Sequence, residues 1–277
     1  MRSLRWLLCG FAFAALVQEG RAADLGETFL RGSQTVMSAP SGARWDGFYF
    51  GAQVGVAYTG TDFGNSTRQL TSFLLRNTTI EDEAHVSNWT TLGKYDATGS
   101  SYGGFAGYQK QWDNAVVGFE ANYNRTNLSA AAADRMRRIF STSDGYSNDV
   151  SITASSSIHI TDYGTLRVKG GWAIDCFLPY GFAGVAIGRA DVTRAVHVVG
   201  SGFDLTTQGR PNYAFDQSNA ETKNGAFAYG YTAGFGLDVM VMQNMFVRGE
   251  YEYVQFGEFN DLKTHIHTAR VAAALKF

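Results

Sequence analysis

The chain has 277 residues, with 32 glycines, 20 phenylalanines, 14 tyrosines and 5 tryptophans but only 3 prolines, and its formal net charge is −2. The near-neutral charge argues against a protein that binds nucleic acid electrostatically, and the aromatic content argues against a disordered chain. The 2 cysteines are too few for a disulfide scaffold or a CxxC zinc site. The composition fits a β-rich chain of one or at most two domains, in solution or in a membrane.

Residues 1–22 have the layout of a secretory signal peptide. Arg2 and Arg5 precede an apolar run from Trp6 to Val17, and a short segment with small residues follows it. The run is shorter than the ~20 residues that a membrane-spanning helix needs. We therefore expect cleavage after Ala22.

Residues 23–44 show little apolar periodicity, and we expect them to form a periplasmic N-terminal tail before a folded domain over residues 45–277. No later stretch approaches the ~18 uninterrupted apolar residues typical of a transmembrane helix. A membrane location would thus require a closed β-barrel, because lipid offers no partner to an unpaired strand edge.

Eight segments alternate with a period of two between apolar residues and smaller or polar ones, which predicts β-strands. In the first, one face carries Phe48, Phe50 and Val54, and the other carries Gly51 and Gln53. The alternation is weaker in the second and fifth segments. In chain order the segments are Phe48–Tyr58, Tyr102–Trp112, Val117–Asn124, Ile158–Trp172, Leu178–Val192, Phe227–Asp238, Met245–Gln255 and Arg270–Phe277.

The connections between these segments alternate strictly between short and long. The short ones are Asp113-Asn114, Asp175-Cys176 and Met240–Asn244, and the long ones are Thr59–Ser101, Asn127–Ser157, Thr193–Asn224 and Gly257–Thr264. This order places all long loops at one end of a meander. It predicts an all-β, eight-stranded antiparallel up-and-down transmembrane β-barrel with three short periplasmic turns and four outer loops.

A secreted soluble barrel such as a lipocalin is the alternative, and it would turn the apolar faces inward. Three features favour lipid outside. Aromatic residues cluster at the strand ends, and the last strand ends on the aromatic residue Phe277. A third is the glycine content of the presumed inner face, where side chains from other strands would need room. These glycines are Gly51, Gly55, Gly230, Gly234 and Gly236.

Several stretches of the barrel match short motifs of a known family. They are Trp45-Asp46-Gly47-Phe48-Tyr49-Phe50-Gly51, Gly118-Phe119-Glu120, Thr165-Leu166-Arg167, Phe177-Leu178-Pro179-Tyr180, Gly184-Val185-Ala186, Arg248-Gly249-Glu250-Tyr251-Glu252-Tyr253-Val254, and Arg270-Val271 with terminal Phe277. On these residues the chain resembles the small outer-membrane β-barrel proteins of alphaproteobacteria, called porin-family or outer-membrane immunogenic proteins, whose barrel is OmpA-like. The resemblance covers the barrel and leaves the long loops uncovered.

The resemblance implies a bacterial outer-membrane location, export by the Sec route, and insertion by the barrel assembly machinery with Phe277 as the assembly signal. It also implies contact with outer-membrane lipid and lipopolysaccharide, and host or environmental ligands at the outer loops. No nucleic-acid partner is expected. Cys176 departs from the family, which more often has a basic or polar residue in that turn.

The presumed inner face carries many charges in a lumen barely wide enough for side chains. They must pair, because an unpaired buried charge is unfavourable by several kcal/mol. We interpret them as a network that closes the lumen, with a gated pore as the alternative. The members are Glu120, Arg167, Lys169, Arg189, Arg248, Glu250, Glu252 and Arg270, with Asp238 and Lys276 on the same face.

Two other groups could bind ligands. His265 and His267 share one strand face near the outer rim and could hold a metal or haem, although an interfacial ring is the simpler interpretation. Arg135, Arg137 and Arg138 follow an alanine-rich stretch and suggest a helical turn in an outer loop, either solvated or in contact with lipopolysaccharide phosphates.

No catalytic, metal-binding or cofactor-binding residue is assigned, and we expect no enzymatic activity. The expected function is that of a structural, surface-exposed barrel that supports envelope integrity and surface interactions. A small-solute porin and a haem-binding surface receptor are the alternatives.

Overall fold

The computed structural model describes residues 44–90, 92–206, 209–257 and 262–277. Eight antiparallel strands form a closed barrel in which neighbours in sequence pair and the last strand pairs with the first. The strands are β1 (Gly47–Asp62), β2 (Lys94–Trp112), β3 (Ala115–Ser141), β4 (Tyr146–Trp172), β5 (Phe177–Asp204), β6 (Tyr213–Met242), β7 (Met245–Phe256) and β8 (Lys263–Lys276). The predicted signal peptide and nearly all of the predicted tail lie outside the described residues. Within them, no helix is both long and apolar enough to span a membrane.

The apolar faces of the strands point away from the barrel axis. Phe119 is 67% exposed, Leu166 63% and Phe235 64%. By contrast, Glu120, the residue after Phe119 on β3, is 2% exposed. This pattern is the inverse of a soluble barrel, which buries its apolar faces. The eight-stranded barrel with a lipid-facing outer surface is therefore confirmed, and the lipocalin-like alternative is wrong.

The predicted bounds of two outer loops are wrong, since most of Asn127–Ser157 and Thr193–Asn224 is strand. The β3–β4 connection shrinks to a tight turn at residues 142–145, and the β5–β6 connection to residues 205–212. Alternation continues there, because Val150 and Ile152 are fully buried whereas Ser151 between them is half-buried and Thr153 is exposed. The three short turns lie at the opposite end, where the structure agrees with the prediction.

Three β-bulges mark the level at which the barrel wall ends. The register shifts between Arg125 and Leu128 in the β3–β4 ladder, and again at Ile160/Asp162 in β4–β5 and Ala190/Val192 in β5–β6. Arg125 is paired with Asp162, and Asp162 with Arg189, so the shifts are at one level. Bulges bend and twist a strand. Beyond them β3–β6 continue without β2 and β7 as a four-stranded extension, which we call the outer sheet.

The β1–β2 connection covers the inner face of the outer sheet. It contains α1 (Arg68–Leu74), α2 (Thr79–Ala84) and a 3₁₀ turn at Val86–Asn88. Its apolar side chains form one buried cluster with those of the sheet, including Phe63, Leu75, Ile80, Val86, Trp89 and Leu92 from the connection and Leu128, Val150, Ile152, Ile158, Val196 and Val198 from the sheet. We call this connection the cap, and its cluster lies at the outer end of the barrel.

A second apolar cluster lies at the end that carries the short turns. It consists of Trp45, Tyr49, Phe105, Val116, Ala173, Leu178, Met240, Phe246 and Ala274. The rings of Trp45 and Tyr49 meet that of Phe246 edge to face, with centroids 5.8 and 5.6 Å apart. The polar side chains of the lumen thus lie between two apolar clusters.

The cap is expected to depend on the outer sheet for its order. Ile152 is fully buried under it, so Ile152→Ala should destabilise the cap by about 2–5 kcal/mol. Limited trypsin digestion of the folded protein should then cleave faster after Arg68 or Arg76. Val185→Ala, on the lipid-facing wall, should leave the cleavage rate at the wild-type value. Equal rates for Ile152→Ala and wild type would show that the cap does not rely on this contact.

Candidate functional site

Among the residues that the structure describes, eight charged side chains in the lumen are each at most 5% exposed. Four are acidic and four are basic, and they come from β3, β4, β6, β7 and β8. We call them the lumen network: Glu120, Arg167, Lys169, Asp238, Arg248, Glu250, Glu252 and Arg270.

Glu120 joins β3 to β4 and β7. Its Oε1 accepts a hydrogen bond from Arg167 Nε at 3.0 Å, and its Oε2 accepts one from Arg248 Nη1 at 2.9 Å. The hydroxyl of Tyr49 donates to the same Oε2 at 2.7 Å. One carboxylate on β3 therefore holds two guanidinium groups that reach it from different strands.

The two glutamates of β7 bind the arginines of β4 and β8. Glu250 Oε1 accepts from Arg167 Nη1 at 2.8 Å and from Arg270 Nε at 2.9 Å. Glu252 Oε2 accepts from Arg270 Nη1 at 2.8 Å, and its Oε1 accepts from the Thr232 hydroxyl at 3.0 Å. Arg167 thus spans the lumen between Glu120 and Glu250, which lie on different sides of it.

Asp238 on β6 completes the network. It accepts from Arg248 Nε at 2.7 Å and also forms an ion pair with Lys169. The ammonium of Lys169 lies 3.8 Å from the centre of the Tyr180 ring, a cation–π contact. All eight charges therefore have a partner of opposite sign.

Glycines make room for the inward aromatic rings. A Cβ atom at Gly236 would lie 2.5 Å from the Tyr180 hydroxyl, and one at Gly234 would lie 2.4 Å from the Phe182 ring. The hydroxyl of Tyr180, on β5, donates a hydrogen bond of 2.5 Å to Glu250 Oε2, on β7. The predicted crowding of a glycine-lined inner face is confirmed.

Two residues expected in the lumen lie elsewhere. Arg189 is on the outer wall, where its half-exposed guanidinium pairs with Asp162 at 2.7 Å. Lys276 lies at the end with the short turns and donates to the backbone oxygen of Asp46 at 3.4 Å. On β5 the inward face is the one with the large side chains, so the less apolar face that carries Arg189 points outward. Because Arg189 and Lys276 are not part of the lumen network, the network has equal numbers of acids and bases.

The sequence prediction also missed the hydroxyl groups that complete the network. Tyr49 and Tyr180 each donate to a buried glutamate, and Tyr163 donates to Glu252 at 3.3 Å. The signal was present for Tyr49 and Tyr163, which share a strand face with small or polar inward residues. It was absent for Tyr180, whose face also carries large apolar residues. A tyrosine that alternates with lipid-facing residues is placed to bond a lumen charge.

The paired histidines lie on the outer wall in an aromatic group. The rings of His265 and His267 are 5.3 Å apart, and that of Tyr253 is 4.9 Å from His267. The Tyr251 hydroxyl and His267 Nδ1 share a hydrogen bond of 2.5 Å. Among the described residues, no group of three or more His, Cys, Asp or Glu side chains is arranged to hold a metal ion.

The helical turn expected around Arg135, Arg137 and Arg138 is wrong, because these residues lie in β3. The alanine-rich stretch before them pairs with β4, with Ala130 and Ala132 buried under the cap. Tertiary pairing overrides the helix preference of alanine here. Arg137 pairs with Asp149 on the neighbouring strand, with Nε to Oδ1 at 2.8 Å.

Phe277 and Cys176 both lie at the end with the short turns. The amide of Phe277 donates to the Phe48 oxygen at 2.8 Å, and its 68% exposed ring stacks on Phe50 with centroids 5.5 Å apart. Cys176 has a free thiol and is partly buried. Its backbone oxygen accepts a hydrogen bond from the amide of Met240.

Removing one member of the network should strongly destabilise the barrel. Glu250→Gln leaves Arg167 and Arg270 short of a buried counter-charge, which should lower the free energy of unfolding by about 3–5 kcal/mol. Urea unfolding of the protein in lipid vesicles measures the difference. As a matched control, Asp162→Asn breaks a pair whose arginine is half exposed and should lower it by at most about 1 kcal/mol. Equal effects of the two substitutions would contradict the buried network.

Known proteins resemble the chain along most of its length. The family model of the outer membrane protein beta-barrel domain matches residues 33–277. Over 258 residues the chain is 28% identical to the 31 kDa outer-membrane immunogenic protein of Brucella melitensis, covering 87% of this chain and 89% of that protein. The protein of the same name from Brucella suis matches with the same identity and coverage.

Two solved structures are also similar. Ail of Yersinia pestis has 14% identity and a TM-score of 0.32, and the match covers 84% of this chain and 99% of that one. Neisserial surface protein A has 15% identity and a TM-score of 0.35, with 83% and 97% covered.

Proposed function

The chain belongs to the outer membrane protein β-barrel family, and from this premise we propose that it is a structural, surface-exposed barrel whose lumen is closed by paired charges. It resides in the bacterial outer membrane. Its role is to support the integrity of the envelope and to present the cap and the outer sheet to the surroundings. It acts without enzymatic chemistry.

The observation that carries the closed lumen is the balance of the lumen network. Four acids and four bases are each bonded to at least one opposite charge. A conducting pore needs hydrated charges that can exchange partners with passing ions, whereas these are at most 5% exposed. The apolar clusters at both ends further support closure.

The proposed partners follow from the surface of the barrel. The exposed apolar wall fits outer-membrane lipid and the lipid part of lipopolysaccharide. Phe277, exposed at the end of the chain's last strand, is proposed as the signal read by the barrel assembly machinery. Host or environmental ligands are proposed for the cap and the outer sheet, which extend beyond the wall.

A liposome-swelling assay tests closure. Vesicles that contain the protein should take up arabinose at the rate of protein-free vesicles. The double variant Glu252→Ala/Arg270→Ala removes one acid and one base, so the network stays neutral while the lumen widens, and uptake should rise. Heat-modifiability on a denaturing gel confirms that each sample is folded. Uptake by the wild type at the rate of a general porin would contradict the proposal.

A haem-binding receptor is the second candidate, and the outer-wall group of His265, His267, Tyr251 and Tyr253 favours it. Histidine and tyrosine are both axial ligands of haem iron. The ring centroids of the two histidines are 5.3 Å apart, and each tyrosine ring has its centroid within 6.2 Å of that of a histidine. A haemin titration followed by its Soret band should show binding that His265→Ala/His267→Ala removes and that the control His159→Ala keeps. No spectral change with the wild type would exclude this candidate.

A further inference from the structure

The outward face of the outer sheet forms an open groove of about 690 Å³. From its geometry we propose that this groove binds an anionic oligosaccharide. The proposal rests on the proposed function, because it takes the outer sheet to lie outside the cell. It gives the surface ligand a chemical class and a site.

The groove has cations along one edge and an acid along the other. Arg135 and Arg137 lie on β3, and Asp216 lies on β6 at the far side of the sheet. Arg137 and Ser151 are paired across β3 and β4, Ser151 with Val199 across β4 and β5, and Val199 with Asp216 across β5 and β6. A single row of the ladder therefore crosses the groove from a cation to an acid.

Arg135 is the group that selects a negative charge. Among the described residues its guanidinium makes no ion pair, and its Nε donates only a long hydrogen bond of 3.5 Å to the Ser151 hydroxyl. Arg135 is exposed on the groove side of β3. A guanidinium with unused donors binds a carboxylate, sulfate or phosphate in a two-pronged manner.

Two acid–base pairs suit the hydroxyl groups of a sugar. Arg137 pairs with Asp149 (Nε to Oδ1, 2.8 Å), and His197 pairs with Asp216 (Nε2 to Oδ1, 2.6 Å). The Arg137 and His197 side chains are 65% and 50% exposed, so each pair retains accessible polar atoms. Each pair sets a carboxylate acceptor beside a nitrogen group, an arrangement that can bind two neighbouring hydroxyls at once.

The rest of the groove favours a saccharide over a peptide. Hydroxyl side chains line its floor, among them Ser151, Thr153 and Ser201. The shape is an open trough rather than a deep apolar pocket of the kind that anchors a peptide side chain. The volume lies within the ~300–1,000 Å³ of ordinary ligand sites.

Isothermal titration calorimetry with the full protein in detergent micelles tests the proposal. The probes are a heparin tetrasaccharide, the core oligosaccharide released from lipopolysaccharide, neutral maltotetraose and penta-glutamate. At least one anionic saccharide should bind, and maltotetraose and penta-glutamate should each bind at least about tenfold more weakly. Which anionic saccharide binds more tightly tells whether the ligand comes from the host or from the bacterial envelope. Raising the salt concentration should weaken binding.

The variants locate the site. Arg135→Gln should weaken binding of the anionic saccharide about tenfold or more, and it leaves no acidic partner unpaired, so folding should be unaffected. Arg189→Gln removes the same charge from the outer wall outside the groove and should change the affinity by less than about twofold. Heat-modifiability on a gel checks that both variants are folded.

Three results would overturn the proposal: no binding of either anionic saccharide, equal binding of penta-glutamate, or an unchanged affinity in Arg135→Gln. None of them bears on the closed lumen, which liposome swelling measures separately. Failure of the proposed function would appear there, as porin-like uptake of arabinose by a protein that still binds the saccharide.

Discussion

The structure depends on neutralising charge inside a narrow ring. Eight strands enclose a lumen that side chains fill, with little room for the water that would otherwise solvate a charge. Each acid must therefore meet a base across the lumen, and the network holds four of each. The inward tyrosines and the glycines beneath their rings follow from the same demand, because they satisfy the remaining carboxylate oxygens and provide the space for the arginines.

A different constraint applies beyond the bulges. There the outer face of the strands is rich in Ser, Thr and charged residues, the composition expected of a surface that meets water instead of lipid. The inner face can no longer close on itself, because β1, β2, β7 and β8 stop short. Its Val and Ile residues must then be buried by another part of the chain, and the cap supplies the apolar surface. The cap and the outer sheet are in this sense one unit built on the barrel.

The sequence predicts the barrel wall well, because lipid outside and polar groups inside impose alternation on each strand. The prediction from sequence fails where the inward face of a strand is as apolar as its outward face. On β5 the inward face carries Leu178, Tyr180 and Phe182, which pack in the lumen, so apolarity alone assigned Arg189 to the wrong side. The sequence also did not predict the outer sheet, because its many Ala, Ser and Thr residues weaken the contrast between apolar and polar positions along the strands. Which acid pairs with which base could not be predicted from the sequence, because the pairing depends on the register between the strands of the barrel.

A double-mutant cycle on Glu250 and Arg270 tests most directly whether the lumen charges neutralise one another. The free energies of unfolding of Glu250→Gln, Arg270→Met and the double variant would be measured in the same lipid vesicles. Mutual neutralisation predicts that the double variant loses clearly less stability than the sum of the two single losses, because no uncompensated charge is left from this pair. Additive losses would contradict the account.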